Sequence, residues 1–338
     1  LLFLLFDGAF SIDVVSFARG LGRGLLITMY NFFMSVIGIA AISMLFGFGA
    51  LHALLLGFIL GGISSAFVMP IIQNLKIKKE TYSILTLEAA ITDVLCIVFA
   101  ITMIQIITLH TFSLEFAATK LASLFAVAGF FGVIAGILWI VVVNKVLKKN
   151  KSYMLTIAYL LLLYTVTEYL KGNGAIAALF FGLVLRNSKK LTSLIKGEHA
   201  ISVTTPTEEL FYSQISFFLK TFFFVYIGML LDFSNIQALT MGIIIAVVVM
   251  LLRNTSSVLT KDMIPYDASV VRSLFARGLA AAVLAQLAVQ YNLQDAGLIS
   301  KITFSAIMFT ILLSSLKVFW ISRATTQRRG APQRGSES

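Results

Sequence analysis

The chain has 338 residues, 59% of them hydrophobic and 12% charged, with a mean hydropathy of +0.96 and a formal net charge of +11. A soluble domain is about 45–50% apolar and about 25% charged, so these proportions exclude an ordinary soluble enzyme; they also exclude a disordered chain, which combines low hydrophobicity with high charge. The single cysteine, Cys96, excludes a disulfide scaffold and a cysteine-rich metal site.

A bilayer core about 30 Å thick takes about 20 apolar residues of helix. Runs of that kind lie at 1–12 (short), 24–47, 50–75, 81–108, 114–146, 152–170, 173–187 (short), 209–231, 236–259, 268–290 and 296–321. They are continuous and lack the alternation of barrel strands, so the expected fold is an all-α polytopic membrane protein. The chain opens at Leu1 inside an apolar run without the charged start of a signal peptide, and a preceding segment is expected.

Lysines and arginines cluster on alternate connections: Arg19 and Arg23; Lys76, Lys78 and Lys79; Lys145, Lys148, Lys149 and Lys151; Arg186, Lys189, Lys190 and Lys196; Lys261; and Arg323, Arg328, Arg329 and Arg334. The connections between them carry Lys171 alone. The positive-inside rule places the clusters and the C-terminus in the cytoplasm of a multi-pass protein of the cell membrane. The polar stretch 188–207 reads as a surface linker. The basic tail 323–338 reads as disordered, lying near anionic lipid rather than on nucleic acid.

Two spans carry interruptions at mid-membrane: Gly61-Gly62-Ile63-Ser64-Ser65 and Ala276-Arg277-Gly278-Leu279. Each lies second in a set of three helices (24–108 and 236–321), and the two sets insert with opposite polarity. A lone Gly-Gly would serve close helix packing. Matched interruptions in inverted halves point instead to a secondary transporter with its site at the midplane.

Charges inside spans are costly and mark function. Glu88 and Asp93 lie in the span 81–108, Arg253 in 236–259, Arg277 in 268–290, and Lys220, whose partner is left open between lipid, Glu168 and a second subunit, in 209–231. Asp93 sits roughly 18 Å along its helix at about 1.5 Å per residue. There a carboxylate can take a dehydrated alkali cation or a proton but hardly both. Glu88 is about 140° away around the same helix, at a depth matching Arg253, and these two are expected to pair. Such a pair fixes geometry more than it adds stability.

The run Leu87-Glu88-Ala89-Ala90-Ile91-Thr92-Asp93 resembles the Glu-Ser-x-x-Asn-Asp signature of the cation/proton antiporter superfamily, in its NhaP/NHE-type branch. Leu5-Phe6-Asp7-Gly8-Ala9 with Ile12-Asp13, Gly57-Phe58-Ile59-Leu60, Asn173-Gly174-Ala175-Ile176-Ala177, Leu252-Arg253 and Ala276-Arg277-Gly278-Leu279-Ala280-Ala281-Ala282 match in order along nearly the whole chain. The resemblance implies an inverted-repeat antiporter fold with two crossed, broken transmembrane helices, an elevator motion, a homodimer, and further spans ahead of Leu1. It implies an interface-domain helix at 1–23, core repeats at 24–112 and 233–322, a linking helix at 113–150 and dimerisation helices at 151–232.

By the same resemblance Asp93 binds cation or proton, Thr92, Ser64, Ser65 and the Ile63 backbone complete the site, Glu88 pairs with Arg253, and Arg277 neutralises helix ends at the crossing. Thr92 stands where the family has Asn or Asp, which implies one titrating carboxylate and electroneutral exchange. Ala89 and Ile63 replace a ligating serine and a threonine, so Ser64, Ser65 and backbone carbonyls must supply more of the coordination. The expected cargo is Na+, with K+ or Li+ as alternatives, against a proton. No cofactor and no enzymatic activity are expected; a channel, a symporter or a transport-inactive sensor on the same scaffold are the other readings.

The remaining signals are weak. His52, His110 and His199 lack a metal-ligand partner at helical spacing. Cys96 reads as packing. Lys171-Gly172-Asn173-Gly174 reads as a turn at a helix end, not a phosphate loop.

Overall fold

The structure is a computed structural model and describes residues 2, 3, 6, 9, 14–109, 114–145, 153–170, 172–189 and 205–330. His110, His199, Asp7, Ile12 and Asp13 lie outside the described residues, as does the side chain of Lys220. Among the described residues the regular structure is helical: α1 (Val14–Leu45), α2 (Ala50–Ile59), α3 (Ser65–Asn74), α4 (Lys79–Leu109), α5 (Leu114–Lys145), α6 (Tyr153–Tyr169), α7 (Gly174–Arg186), α8 (Pro206–Leu230), α9 (Ile236–Thr255), α10 (Pro265–Ser273), α11 (Leu279–Gln290) and α12 (Ala296–Gly330). Among the described residues, six stretches are long and apolar enough to cross a membrane: Gly24–Leu45, Lys79–Thr108, Ala126–Lys145, Thr207–Leu230, Ile236–Val258 and Ala296–Arg323. The shorter apolar helices are α2, α6, α7 and α11.

The chain divides into two compact units, one of residues 1–21 and 108–226, the other of residues 22–107 and 227–338. In the first unit α5 meets α7 through small residues. A Cβ on Gly132 would lie 2.4 Å from the Ala177 carbonyl oxygen, and one on Gly136 2.7 Å from Val184, so glycine is what lets the helices approach this closely. Trp139 donates its Nε1–H to Thr156 at 3.2 Å and stacks on Tyr159 at 4.5 Å between ring centres. Residues 172–174 lead into a helix start: Asn173 accepts the Ile176 N–H at 2.9 Å, and Glu168 accepts the Gly174 N–H at 2.9 Å. Both satisfy donors that a helix N-terminus leaves open.

The second unit holds both interrupted helices. α1 ends in a turn through Gly47 at φ +90°, a conformation suited to glycine. The first interruption falls between α2 and α3, at 60–64, and the second between α10 and α11, at 274–278. Ile63, Val68, Ile72, Leu85, Ala89, Val270, Val271 and Leu274 form one buried apolar cluster joining α3, α4 and α10 around the interruptions. Beyond it, the buried Asp267 of α10 accepts hydrogen bonds from the Lys78 N–H at 3.1 Å and the Thr81 hydroxyl at 2.7 Å, and so caps the start of α4. At the start of α9, Asn235 caps the Ala238 N–H at 2.9 Å, and Asp232 pairs with Lys301 of α12 at 2.9 Å. The Ser234 hydroxyl and Lys301 hold the Asp232 carboxyl down at about 2, so this contact is charged at every physiological pH.

One feature departs from expectation. α12 continues through Arg323 to Gly330, into the stretch expected to be unstructured. Residues 331–338 lie outside the described residues.

α9 packs on α12 at Gly242, where a Cβ would lie 2.2 Å from Ser305 Oγ and 2.9 Å from the Ala306 backbone nitrogen. Gly242→Ala is therefore expected to destabilise the protein by about 1–3 kcal/mol. Gly228→Ala, with nothing within 4 Å of the new Cβ, is expected to cost nothing. Thermal unfolding in detergent checks both; equal melting of the two variants would contradict this packing.

Candidate ion-binding site

All the groups named as site residues lie in the second unit, where α4 supplies three of them. Glu88 is fully buried and Arg253, from α9, is 5% exposed. The guanidinium grips the carboxylate bidentately, Nη1 to Oε1 and Nη2 to Oε2, the latter at 2.8 Å. Arg253 Nε donates to the Val271 carbonyl at 3.0 Å, and Asn31 of α1 donates to Glu88 Oε1 at 3.1 Å. Desolvating two charges costs several kcal/mol each unless partners of this kind surround them. The pair thus pins α4, α9 and α1 together and ties in the backbone of α10.

Asp93 lies further along α4 and faces the first interruption. The Ser65 hydroxyl, at the start of α3, donates to Asp93 Oδ2 at 2.8 Å. Ser64 turns its N–H to the Ala276 carbonyl of the second interruption at 2.8 Å. A Cβ on Gly278 would lie 2.1 Å from Ser64 Oγ, so the two interruptions cross in direct contact there. The Ile63 side chain is buried in the apolar cluster with Ala89, leaving only its backbone to face the site.

Thr92 is placed differently from a freely available ligand. Its hydroxyl donates to the Glu88 carbonyl at 2.8 Å and accepts the Ile63 N–H at 3.1 Å. Cys96, one turn on, accepts the Gly62 N–H at 3.0 Å. A Cβ on Gly62 would lie 2.8 Å from that sulfur and 2.9 Å from the Thr92 carbonyl oxygen, so close approach to α4 requires glycine there.

Arg277 is 1% exposed and spans the crossing. Its Nη1 donates to the carbonyls of Gly61, at 3.1 Å, and Gly62, and its Nη2 to the Ser35 hydroxyl of α1 at 2.9 Å. These carbonyls lie just past the end of α2, where a helix dipole presents negative charge. Its own N–H is received by Thr310 of α12 at 3.0 Å. The site therefore uses Asn31, Ser35, Cys96 and Thr310, none of which the sequence reading assigned to it. Thr28, Asn31 and Ser35 do form a polar stripe at helical spacing in an apolar span, a signal that could have found two of them.

An all-helical membrane protein in which two interrupted helices cross beside a partly buried carboxylate has the architecture of a secondary transporter. The chain matches the transmembrane sodium/hydrogen exchanger family over residues 1–324, and it belongs to that family. Its fold is similar to that of the sodium proton antiporter MjNhaP1 from Methanocaldococcus jannaschii, determined at pH 8. The TM-score is 0.74 at 17% identity, covering 98% of this chain and 84% of that one. An electron-microscopy structure of the same antiporter matches with a TM-score of 0.68 at 17% identity, over 99% of this chain and 84% of that one.

Removing one partner of a buried ion pair strands the other charge. Arg253→Met is expected to cost about 3–5 kcal/mol, and the double variant Glu88→Gln/Arg253→Met to recover most of it. Unfolding in detergent reads both. A single variant that melts like wild type would show that the pair does not hold the unit together.

Proposed function

We propose that the protein exchanges Na+ for a proton at Asp93, one for one and without net charge movement. The observation that carries this reading is the contrast between the two carboxylates of α4. Glu88 is bound bidentately to a guanidinium, while Asp93 sits at the interruption with a neutral hydroxyl donated to it by Ser65. With a proton or a cation aboard, the Asp93 site is neutral and can cross a low-dielectric barrier; the bare carboxylate resists crossing. That asymmetry couples the two fluxes with no other energy source.

Ser64, Ser65 and the Ile63 carbonyl complete the oxygen shell around the cation. Thr92 contributes through the lone pair left after its two hydrogen bonds, and above all holds the interruption in place. K+ and Li+ are the competing cargoes. Arg277 keeps the crossing electrostatically balanced whichever cargo is bound. The second unit, which contains every charge of the site, is the part that moves as an elevator. The first unit supplies the homodimer interface, and the basic connections and the C-terminus face the cytoplasm.

The test is proton movement driven by a Na+ gradient in proteoliposomes containing a pH dye. Wild type is expected to move protons at a rate indifferent to an imposed membrane potential, and Asp93→Asn to fall to the rate of protein-free vesicles. Exchange that persists in Asp93→Asn would remove Asp93 from the mechanism; exchange that follows the imposed potential would remove electroneutrality.

A further inference from the structure

The two interruptions are held by the same device, repeated in the two halves of the unit. In the first, the Ile63 N–H is received by Thr92 Oγ1 at 3.1 Å, and the Gly62 N–H by Cys96 Sγ, one turn further along α4, at 3.0 Å. In the second, the Arg277 N–H is received by Thr310 Oγ1 at 3.0 Å, and the Phe275 N–H by Ser314 Oγ, one turn further along α12, at 3.5 Å. Each threonine returns its own proton to its own helix, Thr92 to the Glu88 carbonyl at 2.8 Å and Thr310 to the Ile307 carbonyl at 3.0 Å. All four side chains are buried, Thr310 and Ser314 completely.

A buried threonine in a membrane helix commonly bonds its own preceding turn and does nothing more. Thr310 differs because its oxygen also receives an N–H from a segment outside any helix, where no repeating hydrogen bond is available. The residues it steadies lead to Asp93. Next to Arg277, the Ala276 carbonyl accepts the Ser64 N–H at 2.8 Å; the following residue, Ser65, donates its hydroxyl to Asp93 Oδ2 at 2.8 Å. The contact at Gly278, with no room for a Cβ against Ser64, passes any shift of the second interruption to the first.

We propose that Thr310 is a positioning residue for the exchange reaction, acting through the backbone of Ala276 and Arg277 to set the Ser65 hydroxyl on Asp93. The inference rests on the exchange reading above for its reaction, but the latch is a structural claim that can be tested apart from transport. Thr310→Val keeps the shape and removes the acceptor, whereas Thr310→Ser keeps the acceptor.

In proteoliposomes Thr310→Val is expected to raise the apparent KM for Na+ about three- to tenfold, the size of one buried hydrogen bond. The acid limb of its pH profile should move to higher pH, because the proton competes better with a weakly held cation. Thr310→Ser should restore both. A Thr310→Val protein with wild-type KM and pH profile, or a Thr310→Ser protein equally impaired, would overturn the proposal.

Hydrogen–deuterium exchange of residues 274–278 in the full-length protein gives an answer that does not depend on transport. The Arg277 amide should lose protection in Thr310→Val and keep it in Thr310→Ser; unchanged protection in Thr310→Val would overturn the latch whatever the flux assay shows. Should Thr310→Val fail to accumulate, Thr310→Ala is read in the same way. A wild-type protein in which Na+ moves no protons would sink the exchange reading and leave the latch to be decided by hydrogen exchange.

Discussion

A polypeptide that leaves its helix in the middle of a bilayer exposes N–H and C=O groups where no water can meet them. The second unit of this protein does so twice, at 60–64 and at 274–278, and its architecture follows from satisfying what those interruptions leave open. The freed amides go to side chains of α4 and α12: Thr92 and Cys96 for one, Thr310 and Ser314 for the other. The freed carbonyls of Gly61 and Gly62 go to the guanidinium of Arg277. The Ala276 carbonyl goes to Ser64, so each interruption is finished by the other. Neither could stand alone, which accounts for their direct contact and for a glycine at 278.

The ion pair of Glu88 with Arg253 answers a different need. Its bidentate geometry with Asn31 and the Val271 carbonyl fixes how α1, α4, α9 and α10 sit within the unit. The same helix, α4, carries Asp93, whose carboxylate meets the Ser65 hydroxyl at 2.8 Å. Two carboxylates on one helix thus have different surroundings: Glu88 lies in the bidentate grip of Arg253, and Asp93 accepts the Ser65 hydroxyl at the first interruption. About 140° of helix lies between the two, which lets one helix hold both.

Much of this was legible from the chain. Span positions follow from hydropathy, which the bilayer imposes more strictly than any aqueous core does, and both interruptions show as glycine and polar residues where an apolar run is expected. The matching depths of Glu88 and Arg253 are a consequence of helix rise alone. Other features were not legible. Ser64 and Ser65 are neighbours, and only the turn into α3 decides that Ser65 reaches Asp93 while Ser64 meets the other interruption. Thr92 reads as an ion ligand, yet its hydroxyl is largely taken up by Ile63 and Glu88. Thr310 and Ser314 look like any hydroxyl in a membrane helix, since such residues usually bond their own turn, and what distinguishes them lies far away in sequence. The extension of α12 to Gly330 was masked by a composition that suits a solvated helix as well as a disordered tail.

In the proposed exchange, cation and proton compete for one carboxylate, Asp93. The most direct measurement is the number of protons released when Na+ binds to the purified protein, obtained by calorimetry in buffers of different ionisation enthalpy across a series of pH values. Proton release should rise to close to one per Na+ bound at acid pH, with both binding and release absent in Asp93→Asn. Na+ binding with no proton release, or with release that survives in Asp93→Asn, would contradict that competition.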